Sequence, residues 1–345
     1  MQHSTNNKRN SSVELFRILA TFMVMTVHFN GWFVDMGPFE EFSCHSIIQG
    51  LIESFTCICV NSFLIITGWY GLQIKWRHFW TIYSIIVWIY VPFYMISSIY
   101  EGDFNFKTLI IQFIGIGSES YYIQSYLMLM FLSPILNSFI NKYGKSILPY
   151  TIIFWFIEFF LDCVLNNKCL GFGGGYQLTH FVFMYLFGRT ASLYKDDLFK
   201  LFNVLNIILI TIGGTLTIFG LYIVGIRWAF LYTNPINIIM TLALFVGFEK
   251  NAFYSDFINW ISKSTLSVYI FHITYPVITV LIKIDKWALL NCSLPLYYIA
   301  IFTLIFCVFC IATLYDKVRI LTFDKLGNPI CNWLTKHTLK YMLGK

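Results

Sequence analysis

Three ionisable residues within one apolar stretch, residues 13–29, could do chemistry together: Glu14, Arg17 and His28. Glu14 and Arg17 are three residues apart, so a helix places them side by side. Arg17 and His28 are eleven residues apart. That spacing is three helical turns plus about 20°, so His28 shares the same face about 16 Å further along. Because an Arg costs roughly 2.5–3.5 kcal/mol at the middle of a membrane span, such a stripe must face a bundle interior or a water-filled cavity.

These residue types suit separate tasks at a reaction centre. An imidazole such as that of His28 can take a proton near neutral pH or act as a nucleophile. A guanidinium such as that of Arg17 binds phosphate through two parallel hydrogen bonds, and Glu14 is placed to orient it. The structural alternative is an interfacial Glu14–Arg17 ion pair, with a histidine that only hydrogen-bonds across a helix contact.

The composition indicates a protein embedded in a lipid bilayer. The 345 residues are 58% apolar and only 12% charged, with a mean hydropathy of +0.69. Soluble domains carry about 25% charged residues, so this chain has too few to coat a water-facing surface. Its 36 Phe, 22 Tyr and 10 Trp residues suit aromatic belts at membrane interfaces. The net charge of +6 comes without a basic stripe or recognition motif, so we expect no nucleic-acid partner.

Hydropathy divides the chain into membrane spans of about 20 residues. Ten segments qualify, at roughly 13–33, 47–70, 79–99, 121–140, 147–165, 177–193, 201–223, 231–248, 264–284 and 295–315. The run TLIIQFIGIG, 108–117, is too short to cross and is predicted to be re-entrant or interfacial. The first span is retained rather than cleaved, since Glu14 and Arg17 do not suit a signal peptide. The sequence predicts an all-α fold, a transmembrane helical bundle of about ten spans.

Lysine and arginine placement predicts the orientation of this bundle. Ten spans put both termini on one side, and eighteen of the 23 Lys and Arg residues fall there. The other five are Lys107, Lys168, Arg227, Lys283 and Lys286. By the positive-inside rule, both termini are cytoplasmic. Residues 1–12 form a cytoplasmic segment, 13–315 the membrane domain and 316–345 a cytoplasmic tail. A tail helix beginning at Pro329 could lie along the inner interface.

The first-span motif resembles that of acyltransferase family 3, in which an Arg and a His are separated by ten residues and an acidic residue lies three before the Arg. Three further segments are similar to the family: NSFLIITGWYGL at 61–72, YLMLMFLSPILN at 126–137 and LSVYIFHITYPV at 266–277. The likeness runs from about residue 11 to about 315. The first-span motif is its most specific part.

Two features depart from the family pattern. Many members carry a Trp and a Glu where this chain has Tyr121 and Tyr122, and no carboxylate occurs in that span. Lys75 and Arg77 are two residues apart, where an Arg–x–x–Arg spacing is common. The first departure puts the role of that site in doubt.

The resemblance implies an integral-membrane O-acyltransferase of the cell membrane. Members move an acyl group, usually acetyl from acetyl-CoA, onto extracytoplasmic acceptors. We therefore expect acyl-CoA as a co-substrate, no permanently bound cofactor, and a surface polysaccharide or lipid-linked sugar as acceptor. Two other classes stay open. One is a proton-coupled secondary transporter that uses the same charged residues, although we find no paired broken helices. The other is a non-catalytic scaffold.

Resemblance and predicted topology together assign roles to eight residues. The catalytic group is His28, Arg17 and Glu14, with His28 either activating the acceptor hydroxyl or first accepting the acetyl group. The cations for the CoA phosphates are Arg17, Lys75 and Arg77, of which the last two could instead be a topology signal alone. The candidates for acceptor contact are His272, Tyr269 and Asn61, with interhelical packing as the alternative for His272. No metal-binding cluster stands out.

The nine cysteines do not indicate a redox or metal site. Cys307 and Cys310 form a C-x-x-C inside a predicted span without a neighbouring His or a second pair, so we interpret them as small apolar side chains. Cys44, Cys169 and Cys292 fall in predicted external loops and allow at most one disulfide among themselves.

The topology is testable in intact cells by labelling single cysteines introduced into a variant whose nine native cysteines have been replaced. We expect a Lys168→Cys variant to react with an impermeant reagent from outside, because position 168 lies in a predicted external loop. A Lys336→Cys variant should react only after the cells are opened. Cytoplasmic labelling at 168, or external labelling of the tail, would contradict the model.

Overall fold

The computed structural model describes residues 9–36, 39, 42–114, 121–165 and 173–342. Within these ranges the regular structure is entirely helical and contains no strand. The predicted all-α class is therefore confirmed. Lys168, Cys169 and residues 115–117 of the predicted re-entrant run lie outside the described residues.

Sixteen α-helices follow one another along the described chain. They are α1 (Ser11–Val27), α2 (Cys44–Thr56), α3 (Cys59–Tyr70), α4 (Trp76–Glu101), α5 (Phe106–Ile114), α6 (Tyr121–Tyr143), α7 (Leu148–Phe159), α8 (Leu178–Leu193), α9 (Lys195–Leu201), α10 (Val204–Ile223), α11 (Pro235–Lys250), α12 (Asp256–Ser262), α13 (Thr265–Ile273), α14 (Val277–Asn291), α15 (Leu294–Leu321) and α16 (Phe323–Met342). Short π-helical turns at His28–Trp32 and Phe160–Val164 extend α1 and α7, and a 3-10 turn at Gly144–Ile147 precedes α7.

Six helical stretches in the described chain are long and apolar enough to cross a membrane. They are Ser11–Trp32, Cys44–Tyr70, Trp76–Glu101, Tyr121–Val164, Val204–Ile223 and Leu294–Leu321. A seventh is possible if the pair Asp256–Ile273 and Val277–Asn291, bent by 72°, counts as one span. Helices α8 and α11 have 16 residues each, about 24 Å of helix. The protein is thus a multi-pass helical membrane protein, and ten spans stay a prediction.

The longest of these stretches, Tyr121–Val164, contains two helices that run in opposite directions. Both α6 and α7 pack against α8. The chain reverses at Gly144, whose φ of +55° lies in the left-handed region that favours glycine. Near this reversal the Tyr194 hydroxyl donates to the Lys145 carbonyl over 3.5 Å. Further along α7, Glu158 meets His180 near the start of α8. Two antiparallel helices therefore share one apolar stretch.

Helix α1 is central in the bundle. It packs against α2, α3, α11, α12, α13 and α15. Its start is fixed by Asn10, whose side chain accepts a hydrogen bond from the Ser12 amide over 3.0 Å. Along α1 and its π-turn, Phe16, Met25 and Phe29 are fully buried against neighbouring helices. A helix surrounded in this way can present polar groups to several partners at once.

Helices α3 and α8 approach closely where two glycines face each other. A methyl group on Gly68 would lie 2.6 Å from the Tyr185 carbonyl oxygen and 3.0 Å from Cα of Gly188. Small residues permit this contact, and close van der Waals packing is a main source of helix association in lipid. The pair therefore fixes the distance between α3 and α8.

The C-terminal part of the chain is joined to the bundle by a buried ion cluster. Helix α15 continues to Leu321, and Arg319 is only 1% exposed. The Arg319 guanidinium donates to Asp316 over 2.6 Å, and to Asp324 and Ser84 over 2.7 Å each. These contacts link α15, α4 and the start of α16.

The predicted start of the tail helix at Pro329 is wrong. Helix α16 begins at Phe323 and has Pro329 in its interior. The earlier start has two visible causes: Phe323 stacks on Trp80 of α4, with ring centroids 6.1 Å apart, and Asp324 pairs with Arg319. Tertiary contacts outside the local sequence therefore set the boundary.

Helix α5 occupies the described part of the run predicted to be re-entrant or interfacial. Its nine residues contact α4, and none is fully buried. At about 1.5 Å per residue it is too short to cross a bilayer. Cys44, Cys292, Cys307 and Cys310 are all free thiols.

We expect Gly68→Ala to lower the thermal stability of the detergent-solubilised protein. The added methyl group meets backbone atoms, which cannot move aside like a flexible side chain, and overpacking of this kind costs about 1–3 kcal/mol. Thermal unfolding followed by fluorescence measures the change.

Gly213→Ala on α10 is the matched control, because nothing lies within 4 Å of a methyl group there. This variant should leave the unfolding temperature unchanged or raise it slightly, since Ala favours helix over Gly. Equal unfolding temperatures for Gly68→Ala and Gly213→Ala would contradict the close contact between α3 and α8.

Candidate active site

Glu14 and Arg17 form the ion pair that their spacing predicts. Arg17 Nη1 lies 3.2 Å from Glu14 Oε2, and Arg9 Nε lies 2.7 Å from Glu14 Oε1. Glu14 is only 4% exposed, whereas the Arg17 side chain is 28% exposed. One buried carboxylate thus holds two guanidinium groups, and the three residues carry one net positive charge. Arg17 keeps donors available for an anionic ligand.

His28 and His272 are brought together by helices far apart in sequence. His28 is the first residue of the π-turn that ends α1, and His272 lies near the end of α13. His28 Nδ1 lies 2.8 Å from His272 Nε2. His272 is fully buried, while His28 keeps some accessible surface. The structure therefore places His272 next to the predicted base.

The partner of the other nitrogen of His272 decides the direction of this hydrogen bond. His272 Nδ1 lies 3.0 Å from the Val268 carbonyl oxygen, which can only accept. A neutral His272 must then carry its proton on Nδ1 and have its lone pair on Nε2. His28 must donate from Nδ1 to that lone pair, which leaves the lone pair of His28 on Nε2. This is the tautomer that a base at Nε2 requires.

A row of aromatic rings leads from the histidine pair to the start of α4. Tyr269 lies 6.0 Å from His272 between ring centroids, and Tyr122 lies 5.5 Å from Tyr269. Tyr126 stacks on Tyr122 at 6.1 Å, and His78 lies 6.2 Å from Tyr126. Tyr122, Tyr126, Tyr269 and His78 are all only partly buried. The ring contacts thus connect the histidine pair to the start of α4.

The predicted cations stand at the far end of this row. Lys75 precedes the first residue of α4, and both Lys75 and Arg77 are exposed. Arg17 is in electrostatic range of both His78 and Tyr126. Arg17 and His28 are about 16 Å apart along α1, so the cations and the histidine pair lie toward opposite ends of the aromatic row.

Asn61 is not part of this arrangement. It is fully buried, with its Oδ1 2.8 Å from His180 Nε2 and its Nδ2 2.9 Å from Asn237 Oδ1. His180 Nδ1 in turn lies 3.2 Å from Glu158 Oε2. This network joins α3, α7, α8 and α11, and the structure does not bring Asn61 to the His28–His272 pair.

Sequence reasoning missed a polar group behind His28. Asn30, two residues further on, contacts Gln49 and Glu53 of α2. The signal was present in the sequence, because Gln49 and Glu53 are four residues apart in a predicted membrane span, so they share one helix face. What the sequence lacked was any indication that this face of α2 meets the end of α1.

A family model described as an acyltransferase domain, Acyl_transf_3, matches residues 10–315. The chain belongs to this acyltransferase family, and the resemblance inferred from the first-span motif is confirmed. The matched range contains the candidate site residues described above except Arg9. Comparisons with curated proteins and with solved structures gave no match.

The described residues contain no group of three or more His, Cys, Asp or Glu side chains that could hold a metal ion.

The hydrogen-bond pattern predicts the tautomer of His28. In protein labelled with nitrogen-15 histidine and reconstituted in lipid, at mildly alkaline pH, we expect a protonated Nδ1 and an unprotonated Nε2 for this residue. Solid-state nuclear magnetic resonance reports both nitrogens, and a His28→Gln variant identifies their signals.

A His272→Phe variant is the matched comparison, since it keeps a ring at this position but removes the acceptor. The Nδ1–H preference of His28 should be lost there. A proton on Nε2 of His28 in the unmodified protein would rule out the proposed chain of donors.

Proposed function

We propose that this family member is an integral-membrane O-acyltransferase. It moves an acyl group, acetyl in our proposal, from acyl-CoA on the cytoplasmic side to a hydroxyl of an extracytoplasmic sugar or polysaccharide. The observation that carries the proposal is the His28–His272 hydrogen bond, which leaves His28 Nε2 available as a base inside an acyltransferase domain.

The transfer needs no net release of protons. His28 Nε2 takes the proton of the acceptor hydroxyl as its oxygen attacks the thioester carbonyl carbon. The tetrahedral intermediate collapses, the carbon–sulfur bond breaks, and the proton on Nε2 passes to the departing thiolate. In the alternative route His28 Nε2 attacks the thioester carbon, and the carbon–sulfur bond breaks to release the CoA thiolate. The acceptor oxygen then takes the acetyl group, the nitrogen–carbon bond to His28 breaks, and the hydroxyl proton passes to the thiolate. The same nitrogen serves both routes.

His272 assists His28 without contacting the reacting atoms. When His28 becomes an imidazolium, its Nδ1–H still donates to the lone pair of His272 Nε2. A fixed acceptor of this kind stabilises the positive charge and holds the ring in place, as the carboxylate does in a serine protease triad. We propose this positioning role for His272, while its predicted contact with the acceptor stays a prediction.

The donor enters from the cytoplasm in this proposal. CoA is multiply charged, and its phosphates suit Arg17, Lys75 and Arg77, which lie near one end of the aromatic row. The thioester arm then extends past Tyr126, Tyr122 and Tyr269 to the histidine pair. The acceptor descends from the opposite side and meets the thioester there.

We also propose ten passes with both termini cytoplasmic, in the cell membrane. Support comes from contacts that gather at two ends of the bundle. At one end the Ser11 amide donates to the Phe253 carbonyl and Lys195 pairs with Glu249. At the other end Tyr275 hydrogen-bonds Glu101. In this proposal α6 and α7 count as separate passes, and α8 and α11 are included although each has only 16 residues.

The proposal is tested with sealed membrane vesicles of known orientation from cells that produce the protein. We expect radiolabelled acetyl-CoA to label envelope material only when it reaches the cytoplasmic face. His28→Ala should lower this labelling by about 10²-fold or more, because the base is lost. Protein amount and insertion are matched before comparison.

His45→Ala serves as the control, because His45 contacts Tyr298 at the start of α15 and not the aromatic row. Its labelling should stay near that of the unmodified protein. Full labelling by His28→Ala would exclude His28 as the base. Labelling only from the extracytoplasmic face would overturn the donor route, and no labelling by the unmodified protein would overturn the function.

A further inference from the structure

We propose that Asn30, Gln49 and Glu53 form a clamp that sets the orientation of His28, so that all three are positioning residues. The inference rests on the proposed function of His28. None of the three touches the histidine pair in the contacts described above, and their effect passes through the backbone of the π-turn.

The clamp consists of three hydrogen bonds between the π-turn and α2. Asn30 Nδ2 donates to the Gln49 carbonyl and to Glu53 Oε2, each over 2.9 Å. Gln49 Nε2 donates back to the Asn30 carbonyl over 2.6 Å. All three residues are more than nine-tenths buried. Both the side chain and the backbone of Asn30 are therefore held by α2.

The two sides of the π-turn are fixed by different helices. Residues two apart on a helix point in nearly opposite directions, so Asn30 faces α2 while His28 faces α13. The turn itself is defined by the Phe33 amide, which donates to the His28 carbonyl over 2.8 Å. A rotation that released Asn30 from α2 would therefore also swing the His28 ring away from His272.

The chemical nature of the clamp points to more than helix packing. A carboxylate in a membrane helix is costly, and a contact between two helices does not need one. Here Glu53 accepts from Asn30, and its carboxylate oxygens lie 3.5–3.6 Å from the position of a methyl group on Gly31. The carboxylate thus lies directly against the turn that carries the base. π-helical turns of this kind are frequent at functional sites.

The test measures acetyl-CoA-dependent labelling in membranes as a function of acetyl-CoA concentration. We expect Asn30→Ala and Glu53→Ala to lower the maximal rate by about 10- to 100-fold, since small misplacements of a catalytic group have effects of this size. The KM for acetyl-CoA should stay within about twofold, because the donor cations are remote from the clamp. Glu53→Gln keeps an acceptor oxygen for Asn30 and should recover much of the rate that Glu53→Ala loses.

Ser54→Ala is the matched control. Ser54 is fully buried in the same helix, but its hydroxyl donates only to the Gly50 carbonyl of its own helix in the contacts found. It should keep the unmodified rate. Asn30→Ala should also have no further effect on the residual rate in a His28→Ala background, since a positioning residue acts through His28.

Several outcomes would overturn the clamp. An unchanged rate in Asn30→Ala, a raised KM with an unchanged maximal rate, or a further loss in the His28→Ala background would each do so. A loss of folded protein in size-exclusion profiles, equal in Glu53→Ala and Glu53→Gln, would show a purely structural role. If the unmodified protein labels nothing, the proposed function fails instead.

Discussion

Every buried polar group in an apolar bundle needs a hydrogen-bonding partner, because the bilayer offers none. In this chain that requirement joins the first helix to the rest of the protein. His28 finds its partner on α13, in the His272 ring that the Val268 carbonyl holds from behind. Asn30 finds its partners on α2. The position of α1 at the centre of the bundle follows from these demands as much as from the apolar residues that cover its other faces.

Part of this arrangement was readable from the sequence because it is local. The Glu14–Arg17 pair needs only a helix and a spacing of three, and the structure shows it. The clustering of His28 with His272 could not be derived in the same way, since 244 residues separate them and no periodicity specifies which faces of two helices meet. The predicted start of α16 was wrong for the same reason. Pro329 favours a first helical turn, but Phe323 and Asp324 contact residues of α4 and α15 that lie outside α16.

Span counting shows a second limit of composition. The apolar stretch Tyr121–Val164 satisfies a length test as one unit, yet both of its helices pack beside α8 and the chain reverses at Gly144. Conversely, α8 and α11 are short but lie inside the bundle, where Phe181, Tyr185 and Phe245 are fully buried. The length of a helix shows whether it could cross a bilayer, but its packing against neighbouring helices decides where it lies in the protein. Sequence hydropathy recovered the reversal because the polar residues between the two spans interrupt the pattern.

The division of polar groups along α1 follows from the cost of charge at different depths. Permanent charges such as Arg17 are tolerated near an interface, where Arg9 and Glu14 share the same ion cluster. Further along the aromatic row, the polar groups are tyrosine hydroxyls of α6 and α13 and then two imidazoles, none of which carries a permanent charge. A donor with charged phosphates and an uncharged thioester arm has the same polarity profile from one end to the other. The phosphates can stay with the arginines while only the arm passes the aromatic row. Under the proposed function, the separation of about 16 Å between Arg17 and His28 is the distance that the uncharged arm of acyl-CoA spans between the cations and the histidine pair.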